Sequence, residues 1–202
     1  FMGQVQYKVS NGMGSMMVNG FHVNEVNREE ATIMARRALN IFYGAPAEWM
    51  QDMISRRHIK HIRAYRYFDV NWAGQANHTN KVLKVNFALI DIGDKNFGYN
   101  FDTLTSVIYH EMAHFWYRYN MINPKLREFK KEILNDKYWI NFYSKRHLKK
   151  WDDDLFCNEI HSILTEYKYA PKTAYTDTEH DDKSHATLQR YMTAYQKLHD
   201  LE

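Results

Sequence analysis

Residues 106–117, SVIYHEMAHFWY, constrain the fold more than any other stretch of the chain. Asp102 or Thr103 can cap a helix that runs to about Tyr119, and along it Leu104, Val107, Ile108 and Phe115 call for burial. The same helix carries His110, Glu111 and His114. Residues four apart lie one above the other on a helix, so His110 and His114 can direct both imidazoles at one point. Glu111 sits about 100° round from His110. The chain must therefore bury this helix and still leave one polar stripe facing a cleft.

Two imidazoles one turn apart, with a glutamate beside them, suit zinc chemistry. A zinc ion held by the two histidines would lower the pKa of a water and polarise a carbonyl group. Glu111, as a non-ligand, would take the water's proton and pass it to a leaving amine. The expectation is one Zn2+ ion, with His110 and His114 as ligands and Glu111 as general base of a metalloendopeptidase. Cys157 is the single cysteine, which rules out an internal disulfide and a cysteine-based zinc cluster. The remaining ligand must then come from His, Asp or Glu. The longer metzincin pattern needs Gly and a third His where this chain has Tyr117 and Asn120, so that subclass is excluded.

The 202 residues, 45% hydrophobic and 15% aromatic, suffice for one packed core. The expected architecture is a single α+β domain over residues 1–202, zincin-like, with a small mixed sheet. Clustered glycines mark residues 2–20 as short strands and turns. A helix follows from Asn27, its candidate cap, to Gly44, and Pro46 opens a short second one. HIKHIRAYRYFDVNW alternates as a strand, with Ile62, Ala64, Phe68, Val70 and Trp72 on one face. AGQANHTN reads as a polar loop, and KVLKVNFALIDIG as a second strand. Beyond the histidine helix come a helix with Pro124 in its first turn, another over DDDLFCNEIHSILTEYKYA that ends before Pro171, and a last one from Ser184 to His199.

The helix over DDDLFCNEIHSILTEY offers two candidates for the third ligand. Glu159 lies in NEIHS (residues 158–162), which resembles the Asn-Glu-x-x-Ser segment of thermolysin-like enzymes. In that register His161 and Thr165 fall where related helices carry apolar residues. Asp154 begins DLFCN, which resembles the Glu-Phe-Phe-Ala-Glu helix of the family of anthrax lethal factor and the Pro-Pro endopeptidases, with Asp in place of Glu. Asn158 would then be free to hydrogen-bond a ligating histidine. Asp154 and Glu159 both stand as candidates. Element order over roughly residues 24–200 also resembles that family, and repressor-cleaving phage and mobile-element peptidases share the motif order. The resemblance implies a gluzincin-like peptidase, either an effector or a phage protein. It further implies a Tyr or His shortly before the ligand helix to hydrogen-bond the oxyanion, for which the chain offers His147 and Tyr143 as catalytic candidates.

A polypeptide substrate is expected to add to an exposed sheet edge, with KVLKVNFALID as that edge. A non-catalytic zincin-like binding module is the alternative. No apolar run reaches the roughly 20 residues of a membrane span, so no membrane partner is expected. The formal charge of +3 is only mildly basic. RRHIKHIRAYR (residues 56–66) offers a nucleic-acid surface as a further alternative, but it reads first as a solvated helix end and strand face, so nucleic acid is not an expected partner. Composition fits a cytoplasmic protein or a mature secreted one without disulfides, of bacterial or phage type.

Overall fold

The computed structural model describes residues 5–10, 15–20, 28–66, 71–90, 101–135, 152–171 and 182–202. Among these, the α+β expectation holds. Strands β1 (Val5–Ser10) and β2 (Ser15–Gly20) pair antiparallel and precede helices α1 (Arg28–Tyr43) and α2 (Glu48–Ser55). Then come β3 (His61–Arg66), β4 (Gly74–Asn77), β5 (Val82–Asn86) and a 3-10 turn at Phe87–Leu89. Four helices follow: α3 (Phe101–Tyr119), α4 (Pro124–Asn135), α5 (Asp153–Tyr169) and α6 (Asp182–Leu198).

The five strands form one mixed sheet in the order β1-β2-β3-β5-β4, with β3 parallel to both β2 and β5 and β4 antiparallel to β5. This corrects two expectations. GQAN, taken for loop, is a strand, and it occupies the edge that KVLKVNFALID was expected to supply. β5 lies inside the sheet, with Val82, Leu83, Val85 and Asn86 all buried, and the strand gives way to the 3-10 turn at Phe87 instead of continuing. The β3 strand is described as far as Arg66, and Trp72 lies outside any strand among the described residues. Phe68 and Val70 lie outside the described residues.

Ile62, Ala64, Leu83 and Val85 turn one face of the sheet toward the helices. α3 is buried nearly all round: Leu104, Ile108, Met112, Ala113, Phe115 and Tyr117 have no exposed surface. A helix apolar on every side belongs at the centre of a fold. Each such large side chain contributes about 1.5–3 kcal/mol relative to its exposed state. α3 packs on α5, on α1 and on strands β4 and β5.

Caps fix the helix starts that matter here. Asn123 Oδ1 accepts from Lys125 N at 2.9 Å, with Pro124 in the first helical position of α4. Asp152 Oδ1 accepts from Asp154 N at 2.8 Å and Leu155 N at 3.2 Å, which starts α5. Behind α3, His161 of α5 meets His199, Nε2 to Nε2 at 2.8 Å. Trp49, Trp116 and Tyr195 pack their rings around the pair. Thr165 Oγ1 bonds the Tyr195 hydroxyl and the His161 carbonyl, both at 2.9 Å. The two residues that looked misplaced in the Glu159 register are thus buried and partnered by the C-terminal segment.

Candidate metal centre

The stripe of α3 that carries His110 and His114 faces α5. The two Nε2 atoms lie 3.1 Å apart. The Glu159 carboxylate bridges them, with Oε1 3.1 Å from His114 Nε2 and Oε2 3.5 Å from His110 Nε2. The opposite ring nitrogens are also engaged. His110 Nδ1 meets Glu166 Oε2 at 2.7 Å, and His114 Nδ1 meets Asn158 Oδ1 at 2.8 Å and Ser162 Oγ at 3.1 Å.

A carboxylate and an amide oxygen can only accept, so each Nδ1 must carry a hydrogen. In the neutral rings both Nε2 atoms are then acceptors, and Glu159 adds a third. Three acceptors repel one another unless a proton or a cation lies among them. Atoms about 2.0–2.1 Å from a tetrahedral zinc stand about 3.3 Å apart. The two Nε2 atoms stand 3.1 Å apart, and each lies near that spacing from a different oxygen of the Glu159 carboxylate, 3.1 Å for His114 and 3.5 Å for His110. Donor atoms of His110, Glu111 and His114 also lie within 4.8 Å of one another, a group that could hold a metal ion.

The electrostatics follow from the contacts. Burial would depress the His110 imidazole, but hydrogen bonds to Glu159 and Glu166 overcome this and hold it well above its ordinary value. His114 is raised too, its burial outweighed by Glu159. Burial would raise the Glu159 carboxyl, yet the two imidazoles hold it well below the usual carboxylate range. Glu111 is the reverse case. Only 6% exposed, it is pushed up by burial, and the charges of His114 and His110 offset this only in part.

Asp154 stands elsewhere. Its Oδ1 accepts from the Tyr117 hydroxyl at 2.9 Å and from Lys130 Nζ at 2.7 Å. These bonds outweigh its burial and hold its carboxyl low. It braces α5 against α3 and α4 and touches neither imidazole among its hydrogen bonds and ion pairs. Of the two third-ligand candidates, the fold brings Glu159 to the histidines. Asn158 does partner a histidine, as expected, although beside Glu159 and not in service of Asp154. His147 and Tyr143, like Tyr138 in the same segment, lie outside the described residues.

Three residues were missed by sequence reasoning. Glu166 and Ser162 lie on the Glu159 face of α5, seven and three residues further on. That polar stripe inside an otherwise apolar helix was the available signal. The third is Gly74, at the start of the edge strand. Asn86, fully buried, binds the Trp72 carbonyl through its side chain (3.2 Å) and the Ala73 carbonyl through its backbone (2.7 Å), which delivers Gly74 onto α3. A Cβ at Gly74 would lie 2.8 Å from both Glu111 Cγ and Val107 Cγ1, and 2.9 Å from Glu111 Oε1. Only a residue without a side chain leaves Glu111 where it is. Gly74→Ala is expected to cost about 1–3 kcal/mol by overpacking, read as a lower urea midpoint with metal content unchanged. An unchanged midpoint would mean that the strand yields freely.

A cleft of about 550 Å³ opens over the group, walled by β4 and His78 on one side and by Leu155, Asn158 and Glu159 on the other. Leu155 is half exposed there. His78 stacks on Phe115 (5.1 Å between ring centres) and is depressed chiefly by burial, then by the charges of Arg118 and His114. Comparison with protein-family models, with curated proteins and with solved structures yields no match to this chain.

Proposed function

We propose that the chain is a zinc-dependent metalloendopeptidase of zincin-like, gluzincin type, with His110, His114 and Glu159 as the protein ligands. The observation that carries this reading is the triangle of acceptors formed by two tautomer-locked imidazoles and one carboxylate, with a second, buried carboxylate beside it. A zinc ion at that triangle would supply a Lewis acid for a carbonyl group and lower the pKa of a water.

The chain's own residues divide the remaining work. Glu166, Asn158 and Ser162 hold the Nδ1 hydrogens, so both Nε2 lone pairs point inward. Glu111 is the general base. Its raised affinity for protons suits a group that must take one near neutral pH and return it to the leaving amine. Gly74, having no side chain, leaves the space its carboxylate occupies. Substrate is an extended polypeptide. β4 is the sheet edge that borders the cleft, and its outward backbone groups can pair with a peptide as an added strand.

The test is a degenerate peptide library incubated with the zinc-loaded protein and read by mass spectrometry. Internal cleavage that a chelator stops and zinc restores is the expected result. Intact peptides together with stoichiometric bound zinc would replace this reading with a non-catalytic metal-binding module.

A further inference from the structure

The stripe of α3 that carries the metal centre continues past His114. Successive helical residues turn by about 100°, so Arg118 projects about 80° round from His110, between His114 at about 40° and Glu111 at about 100°. His110, Glu111 and His114 all line the cleft, so this arc of the helix faces it. α5 flanks the arc at Tyr117 and β4 flanks it at Glu111. Arg118 is exposed on a helix otherwise largely buried.

α5 runs opposite to α3, since Glu166 meets His110, Asn158 meets His114 and Asp154 meets Tyr117. Leu155, next to Asp154 and half exposed, therefore stands level with Arg118 on one wall of the cleft. On the other wall His78 stacks on Phe115, three residues before Arg118. The charge of Arg118 acts on both His78 and Asp154. No carboxylate answers it. Asp154 is held by Tyr117 and Lys130, and among the described residues Arg118 enters no ion pair. A cation in the last turn suits the C-terminus of any helix, and this one also looks along the cleft.

We propose, resting on the peptidase reading, that Arg118 binds a carboxylate of the polypeptide in the cleft and so makes acidic polypeptides the substrate class. A guanidinium meets a carboxylate with two parallel N–H bonds. Nearer the histidines the carboxylates of Glu111 and Glu159 repel an anion, which confines it to the Arg118 end. Arg118 lies one turn, about 6 Å, beyond His114. An extended chain rises about 3.3 Å per residue, which puts the bound carboxylate about two or three residues from the bond cleaved. Leu155 offers an apolar contact to the methylenes that carry it.

The probe is a pair of short-peptide pools with blocked ends, identical except that each peptide carries a single Glu in one pool and a single Gln in the other, at every position in turn. Retention on immobilised, zinc-loaded Glu111→Gln protein is read by mass spectrometry, so the result does not depend on cleavage. Glu peptides are expected to be retained about five-fold over Gln peptides, the upper end for an exposed ion pair. Arg118→Gln should close that gap, Arg118→Lys should keep most of it, and Arg118→Glu should turn the preference to peptides carrying Lys, a reversal that a role in the helix end alone would not produce. With active protein, kcat/KM for a cleaved Glu peptide should fall about five-fold on Arg118→Gln and stay unchanged for its Gln counterpart. Pools with free C-termini identify the source: selectivity seen only there assigns the bound carboxylate to the chain end in place of a side chain. Equal retention of Glu and Gln peptides with either kind of end, or a Glu preference that Arg118→Gln leaves intact, overturns the proposal even if peptides are cut. Acid-selective retention that depends on Arg118 without any cleavage upholds the Arg118 site and counts against the peptidase reading alone.

Discussion

Glu111→Gln is expected to bind zinc as the parent does and to hydrolyse peptides about 10²–10⁴-fold more slowly. Glutamine matches the shape of glutamate, so the packing against Gly74 and Val107 survives. Neither His110, His114 nor Glu159 loses a partner among their hydrogen bonds and ion pairs. What disappears is the group that accepts a proton. Because Glu111 is buried and held above its ordinary pKa by that burial, the neutral amide should leave unfolding stability equal or higher. Kinetics on a cleaved peptide, metal content and a urea melt on the same preparation check all three points. Hydrolysis that survives the substitution would remove Glu111 from the mechanism.

Acid should weaken the fold well above the pH at which most carboxylates protonate. Burial, offset only slightly by Asp200, pushes His199 down to about 3, and His161 is held well below its ordinary value by burial and by His199. A histidine whose folded pKa is depressed binds its proton more readily in the unfolded chain. Its stabilising contribution is therefore complete above about pH 6.5 and is lost as pH falls from there toward about 3. At about 1.4 kcal/mol per pH unit, His199 alone accounts for roughly 2 kcal/mol between pH 6.5 and 5. His110, with its raised value, acts in the opposite sense and only above pH 6.5, so it does not contribute in this window. His199→Phe keeps a ring against Trp49 and Trp116 and takes no proton. Urea midpoints at pH 7 and pH 5, with chelator present throughout, should fall for the parent and fall distinctly less for the variant. Equal losses would show that the histidine pair is not the acid-sensitive element.

The helices were legible because their signals are local. Pro46, Pro124 and Pro171, the acidic start of α5 and the apolar spacing of α3 all mark helix bounds within a turn of those observed. The edge strand was illegible for an equally physical reason. GQAN has four residues, one of them glycine, and no apolar alternation, and its identity as a strand comes from β5 beside it and from Asn86 holding Trp72 and Ala73. Strand pairing is a long-range property that a short polar segment does not announce.

His110, Glu111 and His114 were legible as a site, since one helical turn carries the whole motif. The third group was not. Asp154 and Glu159 are five residues apart, about 140° round the helix, so only one can meet His110 and His114; Asp154 meets α3 elsewhere, at Tyr117. The deciding partners lie far along the chain. Lys130 and Tyr117 claim Asp154, while the ring cluster of Trp49, Trp116, Tyr195 and His199 accommodates the His161 that made the Glu159 register look wrong. The polar stripe of Asn158, Glu159, Ser162 and Glu166 was the sequence's own pointer to that face.

The central claim is that His110, His114 and Glu159 together hold one zinc ion. Metal analysis of the purified parent, Glu159→Ala and Asp154→Asn, each prepared without chelator, tests it most directly. The parent and Asp154→Asn are predicted to carry one zinc ion per chain and Glu159→Ala to have lost it. A parent without zinc, or a Glu159→Ala protein that keeps its zinc while Asp154→Asn does not, would contradict the account.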